Sequence, residues 1–507
     1  MQLTQQHQLL QQYMEAKQAT NRRIEQNEKI WQSLAGETQA GKSAWLMNSL
    51  LNKHADAMDN YPQAVVLPRM ESDKAQAEAL SKLLPVLLRQ NRYEEIYSRL
   101  WWEKLKHGTA VQAVLWDTSA NQGLGDIIIK SIDATHLYFE PNIEHIEQSR
   151  AVFYLSYMPV EDFQNAYPTF SVPRAQFLPP VENKVEMVDC YYKVKKGKQT
   201  QLHYCKSCGE HVLYHSENDP LLAQRGLYKH GRYPFVIDSM YHMKYNLFGF
   251  GLLDIMKHNQ QYIDELHKTI LEHSKLAGQK RFFVRVDGGI NEQEFADWDK
   301  NFIHVAGNID QNSIREFNLQ PLDNTCFAML GAKIEELKET SGNRDFNQGS
   351  VSGGITAASA ISALQEAGNK LSRDLIKSSY RAFVDLCSLM IELVREFYEG
   401  NRVFRILDSA EFFHFSNAAM QLVQSDTEYR LPEYDIVIQA QKASPFSTVA
   451  QNELAKEFYR LGFFAPQNAA QAIACISMMH FDGKEEVLQN LKNNLEQQYA
   501  HTMETPN

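Results

Sequence analysis

A chain of 507 residues with 44% hydrophobic content can fill a real core and build two to four domains or one elongated body, which excludes wholesale disorder. Its net charge of -11 excludes gripping DNA through a broad basic face, since that affinity comes from counterion release at neutralised phosphates. No apolar run of about 18 residues occurs, the N-terminus (MQLTQQHQLLQQ) has neither a basic nor an apolar leader region, and six cysteines are too sparse for a disulfide framework, so we expect no membrane span, no signal peptide and a reducing compartment.

Residues 4 to 32 are rich in Gln, Glu and Lys, with sparse apolar positions at Leu9, Leu10, Tyr13, Ile24, Ile30 and Trp31. That spacing predicts a helix with one narrow apolar stripe. Gly36 to Ser43 (GETQAGKS) then matches the phosphate-binding pattern G-x-x-x-x-G-K-S. The chemistry needs a buried strand before the loop and a helix after it, so that backbone N–H groups surround the phosphates. The preceding IEQNEKIWQSLA reads as polar helix, so the expectation is a surface turn between helices.

Asn52 to Arg69 reads as an irregular connection punctuated by Pro62 and Pro68. A helical region follows from Ser72 to His107, then Gly108 and a strand from Ala110 to Trp116. Further strands are predicted over Asp126–Ile132, Ala151–Tyr157, Lys184–Val194 and Gln201–Tyr204, with prolines at 168, 173, 179 and 180 between two of them.

Cys205-x-x-Cys208-Gly209 resembles half of a zinc knuckle. His211 and His215 are in reach to complete four ligands, and Cys190 on the adjacent strand is another candidate. A single C-x-x-C is a much weaker signal than paired motifs. We therefore expect unligated thiols at a hairpin turn; any zinc there would be structural, because nothing nearby suggests an activated water.

After Gly251 the period changes to helical, with Leu252, Ile255, Met256, Ile263, Leu266 and Ile270 on one face and Lys257, Gln260, Asp264, Lys268 and Glu272 on the other. This helix should end near Ala277–Gly278. Short strands and turns follow to residue 320 (RFFVRV, the turn Asp287-Gly288-Gly289, FIHVAG). Helical pattern resumes at Asp323 and stops at Gly342, the residue a left-handed C-terminus favours. A strand-rich module is thus inserted between two helices that could run antiparallel and carry it at their shared end. Lys333, Glu335, Glu336, Lys338 and Glu339 make a mixed-charge face, which is usually solvated but could line a channel.

From Gly342 a polar, glycine-rich loop runs to Gly354, containing Arg344, Asp345, Asn347, Gln348, Ser350 and Ser352. It has almost nothing to bury and should project into water. GSVSGG is not the G-x-S-x-G elbow of a serine nucleophile. The helix that follows, Thr356 to Glu399 with Gly400 beyond it, would span roughly 65 Å at 1.5 Å per residue. Its stripe of Ile361, Leu364, Leu371, Leu375, Leu386, Met390, Leu393 and Phe397 predicts a narrow-faced structural spine, and Gly368 on the stripe would allow close approach of another backbone. The chain is mixed from Arg402 to Pro445, and residues 446 to 498 read as several helices broken at Gly462, Pro466 and Gly483 before a frayed tail.

Segments 52–69, 226–241 (GLYKHGRYPFVIDSMY), 333–383, 402–406 (RVFRI) and 451–467 (QNELAKEFYRLGFFAPQ), taken in order, carry a resemblance to the portal proteins of tailed bacteriophages, most closely a podovirus-like branch. The resemblance implies an α+β portal fold: residues 1–250 a wing, 251–277 and 322–342 the two stem helices, and 278–321 a clip. It further implies 343–355 as a tunnel loop, 356–444 a wing spine helix with following strands, and 445–507 a short helical crown and tail.

By the same resemblance the protein is no enzyme and needs no cofactor. It implies a homo-oligomeric ring, usually of twelve, at one capsid vertex in the virion, built in the host cytoplasm and away from membranes. Its partners would be double-stranded DNA, the large terminase subunit that hydrolyses ATP, the major capsid and scaffolding proteins, and head-completion or tail adaptor proteins. Asn343, Arg344, Asp345, Asn347, Gln348, Ser350 and Ser352 would face DNA. Lys333, Glu336, Lys338 and Glu339 would line the tunnel, and Arg285, Asp287, Asn291 and Glu292 of the clip would face terminase or tail. An acidic lumen with a polar loop would touch the phosphates weakly and keep the duplex centred. The rival readings are a P-loop nucleotide-dependent DNA-handling enzyme and a zinc-dependent interaction module; each accounts for only a short segment.

Overall fold

The computed structural model describes residues 1–35, 43–197, 199–278, 281–284, 291–297, 304, 306, 314–317, 322–342, 370–400, 402–405, 412–420, 423–424, 429–442, 456–463, 468–477, 487–488 and 490–491. Two units emerge: Met1–Ala57 with Ala64–Ile438, and Met58–Gln63 with Gln439–Asn507.

Helix α1 (Leu3–Ala35) has the narrow stripe its sequence predicts. The stripe is half polar, because Gln6, Lys17 and Asn27 are buried along with Leu10, Tyr13 and Ile24. Helix α2 (Trp45–Met58) and strand β1 (Asn60–Pro68) occupy the stretch expected to be irregular. Leu46, Leu50, Lys53 and Ala57 hold a helical period up to Met58. Pro62 and Pro68 are tolerated because β1 is paired on one side only, in a two-stranded ribbon. The helical region after Ser72 is two helices, α3 (Lys74–Gln90) and α4 (Tyr93–His107), parted at Arg92, whose φ is 50°. Asn91 seals the break, donating to the Leu87 and Ile127 carbonyls and accepting from Ile129 N–H. α4 carries Glu94 and Glu95 in its first turn and Lys104, Lys106 and His107 in its last, matching the helix dipole. Gly108 ends it with φ 84°.

Strands β2 (Thr109–Asp117) and β3 (Asp126–Ile132) begin a sheet. β4 (Leu137–Phe139) and β5 (Ala151–Pro159) begin another, which continues after the short helix α5 (Val160–Ala166) through β6 (Lys184–Lys196), β7 (Gln199–Cys208) and β8 (His211–His215). This five-stranded antiparallel meander is covered on both faces, so β6 is buried at eight consecutive positions from Val185 to Tyr192. Leu10 and Tyr13 of α1 pack on one face with Phe153, Val188, Cys190, Tyr192 and Cys205. Phe163 of α5 packs on the other with Val185, Met187 and Cys208.

After the one-turn helix α6 (Leu222–Arg225), β9 (Phe235–Ser239) completes the first sheet in the order β3-β2-β9. The hairpin of β10 (Tyr241–Met243) and β11 (Asn246–Phe250) leads directly into helix α7 (Leu252–Gly278). Strand β12 (Arg281–Val284), helix α8 (Glu292–Ala296) and strand β13 (Ile314–Phe317) form the expected insertion, with β12 and β13 paired antiparallel. Helix α9 (Asn324–Ser341) starts at Asp323, whose carboxylate accepts from Thr325 N–H, and stops at Gly342 with φ 69°, as the sequence predicts.

Helix α10 (Lys370–Phe397) is the described part of the long spine; 356–369, with Gly368, lie outside the described residues. Its buried face is wide, not the narrow stripe expected. Leu375, Ile376, Ala382, Phe383, Leu386, Cys387, Leu389, Met390, Ile391, Leu393 and Val394 are all buried, because the helix packs on β2, β9 and α3. Strands β14 (Arg402–Arg405), β15 (Phe412–Phe415), β16 (Val423–Gln424), β17 (Tyr429–Arg430) and β18 (Tyr434–Lys442) follow, the last pairing with β1.

The second unit contains helical residues 456–460, closed by Gly462 at φ 71°, and helix α11 (Ala469–Ser477). Ala472, Ile476, Leu488 and Leu491 form its small core. All six cysteines are unbridged. No helix among the described residues is long and apolar enough to cross a membrane.

Candidate nucleic-acid interface

The feature that stands out chemically is the two-helix arm of α7 and α9. The helices run antiparallel: Lys333 Nζ lies 5.6 Å from the Tyr262 ring, while Glu336, one turn further along α9, bonds Asn259, one turn back along α7. The root of the arm is fixed by buried polar bonds. Asp254 takes Arg23 at 2.8 Å, Asn27 at 2.8 Å and Lys257 at 3.3 Å, and accepts from Gly251 N–H at 3.1 Å. Two turns on, Gln260 donates to the Ser43 carbonyl and to Asp264, and accepts from Leu46 N–H. α1 and the start of α2 therefore set the direction in which α7 leaves the body.

Glycines make the root possible. A Cβ on Gly251 would sit 2.7 Å from the Leu105 carbonyl oxygen, and one on Gly108 would sit 2.2 Å from the Phe250 carbonyl carbon. The end of α4 and the start of α7 are thus in backbone contact.

Beyond Ile263 no described residue of α7 is buried. Ile255, Tyr262 and Leu276 fall at sevenfold spacing and are 41%, 52% and 41% exposed; Phe327 and Met329 of α9 are 50% and 55% exposed. Around them acids and bases interleave. Lys333–Glu336 at 2.7 Å and Lys338–Glu335 at 3.3 Å are pairs within one helix face, and Lys268–Glu272 lies at 3.9 Å. Lys338 also lies 5.6 Å from the Trp45 ring. The Lys333 and Asn259 bonds hold the Glu336 carboxyl below the usual carboxylate range. Such a surface neutralises its own charge and leaves little for phosphate.

The predicted stem residues Lys333, Glu336, Lys338 and Glu339 thus share one short stretch of α9, where Lys333 pairs with Glu336 and Lys338 with Glu335. Asn291 caps α8, its side chain accepting from Glu294 N–H at 3.3 Å, with Glu292 in the first turn. His304 Nδ1 lies 2.9 Å from the Glu294 carboxylate, a contact that the sequence did not signal. Arg285, Asp287 and the loop residues Asn343, Arg344, Asp345, Asn347, Gln348, Ser350 and Ser352 lie outside the described residues.

The zinc half-site is not assembled. Cys205 opposes His215 and Cys208 opposes His211 in the ladder, and three residues along a strand reverse the face. Cys205 and Cys208 consequently fall in separate core clusters on opposite faces of the sheet. Cys190 opposes Cys205 as expected, and burial raises both thiols. Among the described residues no group of three or more His, Cys, Asp or Glu side chains converges as a metal would require. The phosphate-loop match also lacks its context. A helix, α1, precedes it where a strand is needed, and Ser43, its last residue, gives its N–H and hydroxyl to Asp264.

Comparison with known proteins brings one finding. A model of the family described as phage P22-like portal protein matches residues 55–507, leaving α1 and most of α2 outside the match. No curated protein matches the chain.

Proposed function

Because the chain belongs to the phage P22-like portal protein family, we propose that its copies close into a ring, of twelve subunits, at one capsid vertex, with α7 and α9 as the stem around a bore that passes double-stranded DNA. The observation that carries this reading is the arm itself: firmly rooted, yet with Tyr262, Leu276, Phe327 and Met329 open to solvent in a single chain. Large apolar side chains left open along one arm suit burial against a partner, and rotational symmetry supplies one at every subunit. Antiparallel pairing puts the C-terminal end of α7 level with the N-terminal end of α9. By the register of Lys333 with Tyr262 and Glu336 with Asn259, Phe327 lies level with Lys268, so in a ring it would face the stretch of α7 around exposed Leu271 of the next copy.

The stem's interleaved charges support a bore that lets DNA slide. A strong phosphate contact repeated around a ring would multiply and hold the duplex still. Packaging work belongs in this reading to the terminase, which would dock on the inserted β12–β13 module; tail adaptors would dock there afterwards. The loop of 343–355 would touch the DNA backbone, 370–397 would form the wing spine, and the second unit the crown.

The test is a size measurement on purified protein. The wild-type chain should give a particle many times 58.4 kDa. Tyr262→Glu combined with Leu276→Glu, both exposed, should leave the subunit folded, with unchanged circular dichroism, but shift it to monomer. A wild-type chain that stays monomeric at every concentration would contradict the reading.

A further inference from the structure

A cavity of about 110 Å3 lies where α1, the loop after β4 and the β10–β11 hairpin meet. Lys17 lines it and is the sole charged residue to do so; no carboxylate does. The side chain is buried (8% exposed). Its Nζ donates to the Ala134 carbonyl and, at 2.7 Å, to the Leu137 carbonyl, and lies 4.6 and 4.7 Å from the Tyr138 and Phe248 ring centroids. An ammonium has three protons to give, so two carbonyls leave one N–H over. Asp133, the acid that acts on Lys17 electrostatically, is engaged with Thr135 N–H and hydroxyl at 2.8 and 2.6 Å. Burial pushes the Lys17 ammonium well below the usual lysine range, with Asp133 opposing this only in part, so a cation with no carboxylate in contact is held there at a cost that an anionic ligand would relieve.

Two further observations mark the opening. Asn142 and Tyr245, which both line the cavity, hold left-handed backbone at φ 61° and 58°. That is strained for a tyrosine, and strain of this kind concentrates at ligand clamps. Tyr245 is 54% exposed, with Lys244 Nζ 4.7 Å from its ring, so a second cation stands at the entrance.

We propose that this cavity binds a small monocarboxylate, with its carboxylate on Lys17 and Thr20 and its short alkyl chain against Tyr13 and Phe248. The volume admits about four waters, or a similar number of ligand heavy atoms. One ammonium balances one negative charge; a phosphate dianion would remain half-compensated in an aromatic enclosure. The site ties α1 to the hairpin that feeds α7, so occupancy braces the arm's root. The inference does not depend on ring formation.

Calorimetric titration of the full chain with propionate, propionamide and inorganic phosphate tests it. Propionate should saturate one site per subunit and raise Tm, with the amide and phosphate at least tenfold weaker. Lys17→Met should lose propionate binding. Thr20→Leu, which fills the cavity and keeps Lys17, should lose it too and serves if Lys17→Met fails to fold. Absence of saturable propionate binding, equal affinity for propionamide, or undiminished affinity in a folded variant would overturn the proposal.

Discussion

His230 shows how a single side chain contributes to the acid limit of this fold. Its ring stacks on Tyr228 at 5.2 Å, and its Nδ1 accepts from Arg232 N–H at 3.0 Å, so a proton there breaks a bond. Burial first, and then the nearby Arg232 charge, lower its pKa from 6.5 to about 4. The unfolded chain takes up that proton near pH 6.5 and the folded chain near pH 4. The contribution is therefore complete above about pH 6.5 and is lost as pH falls toward 4, roughly 3 kcal/mol in all. His230→Gln should flatten the pH dependence of unfolding free energy by about that amount across this window; an unchanged slope would refute the assignment. Lys104 makes a second case. Buried over Trp101, it pairs with Asp238 at 2.7 Å, and Ser379 of α10 bridges the two, its hydroxyl donating to Asp238 at 2.6 Å. Lys104→Ala should cost about 3–5 kcal/mol by stranding the carboxylate, while Lys104→Met with Asp238→Leu should cost far less. Equal losses in denaturant unfolding would mean that the pair is not the source. Neither feature was legible in the sequence, because periodicity reads apolar positions and treats a lysine or histidine as solvated. The buried stripe of α1 has the same character, with Lys17 and Asn27 among its members.

At the level of elements, punctuation is legible in the sequence. Gly108, Gly251, Asp323 and Gly342 mark the ends of α4, α7 and α9 because each boundary has a local cause: left-handed backbone, close approach or a side-chain cap. Gly108→Ala combines a φ of 84° with a Cβ placed against the Phe250 backbone. It should destabilise by about 4 kcal/mol or more, seen as loss of soluble protein or a large fall in Tm; a near-neutral effect would show that the α4–α7 contact yields easily. The sequence is less legible where tertiary pairing decides. The prolines of β1 suggested an irregular link, but a strand with one free edge accepts them. The spine's stripe reads as narrow when only one line of apolar positions is followed; Ile376, Phe383, Leu389, Ile391 and Val394 widen it, and packing on β2, β9 and α3 buries them all. For the C-x-x-C pattern, which the sequence reads as unligated thiols with a weak zinc alternative, the strand's alternation puts the two thiols on opposite faces.

For the whole molecule, family membership was legible because several separated segments, matched in order, carry more information than any one motif. The arm's geometry adds a physical reason for assembly, since Tyr262, Leu276, Phe327 and Met329 are 41–55% exposed among the described residues. Its self-neutralising charges add a reason for smooth passage. In the proposed ring the two properties would act together, around a polyanion at the centre. Electron micrographs of the purified protein viewed along the particle axis test this most directly. The account predicts a rotationally symmetric annulus, of twelve subunits, whose open bore admits a DNA duplex; particles without a bore, or with one too narrow for a duplex in every state, would contradict it.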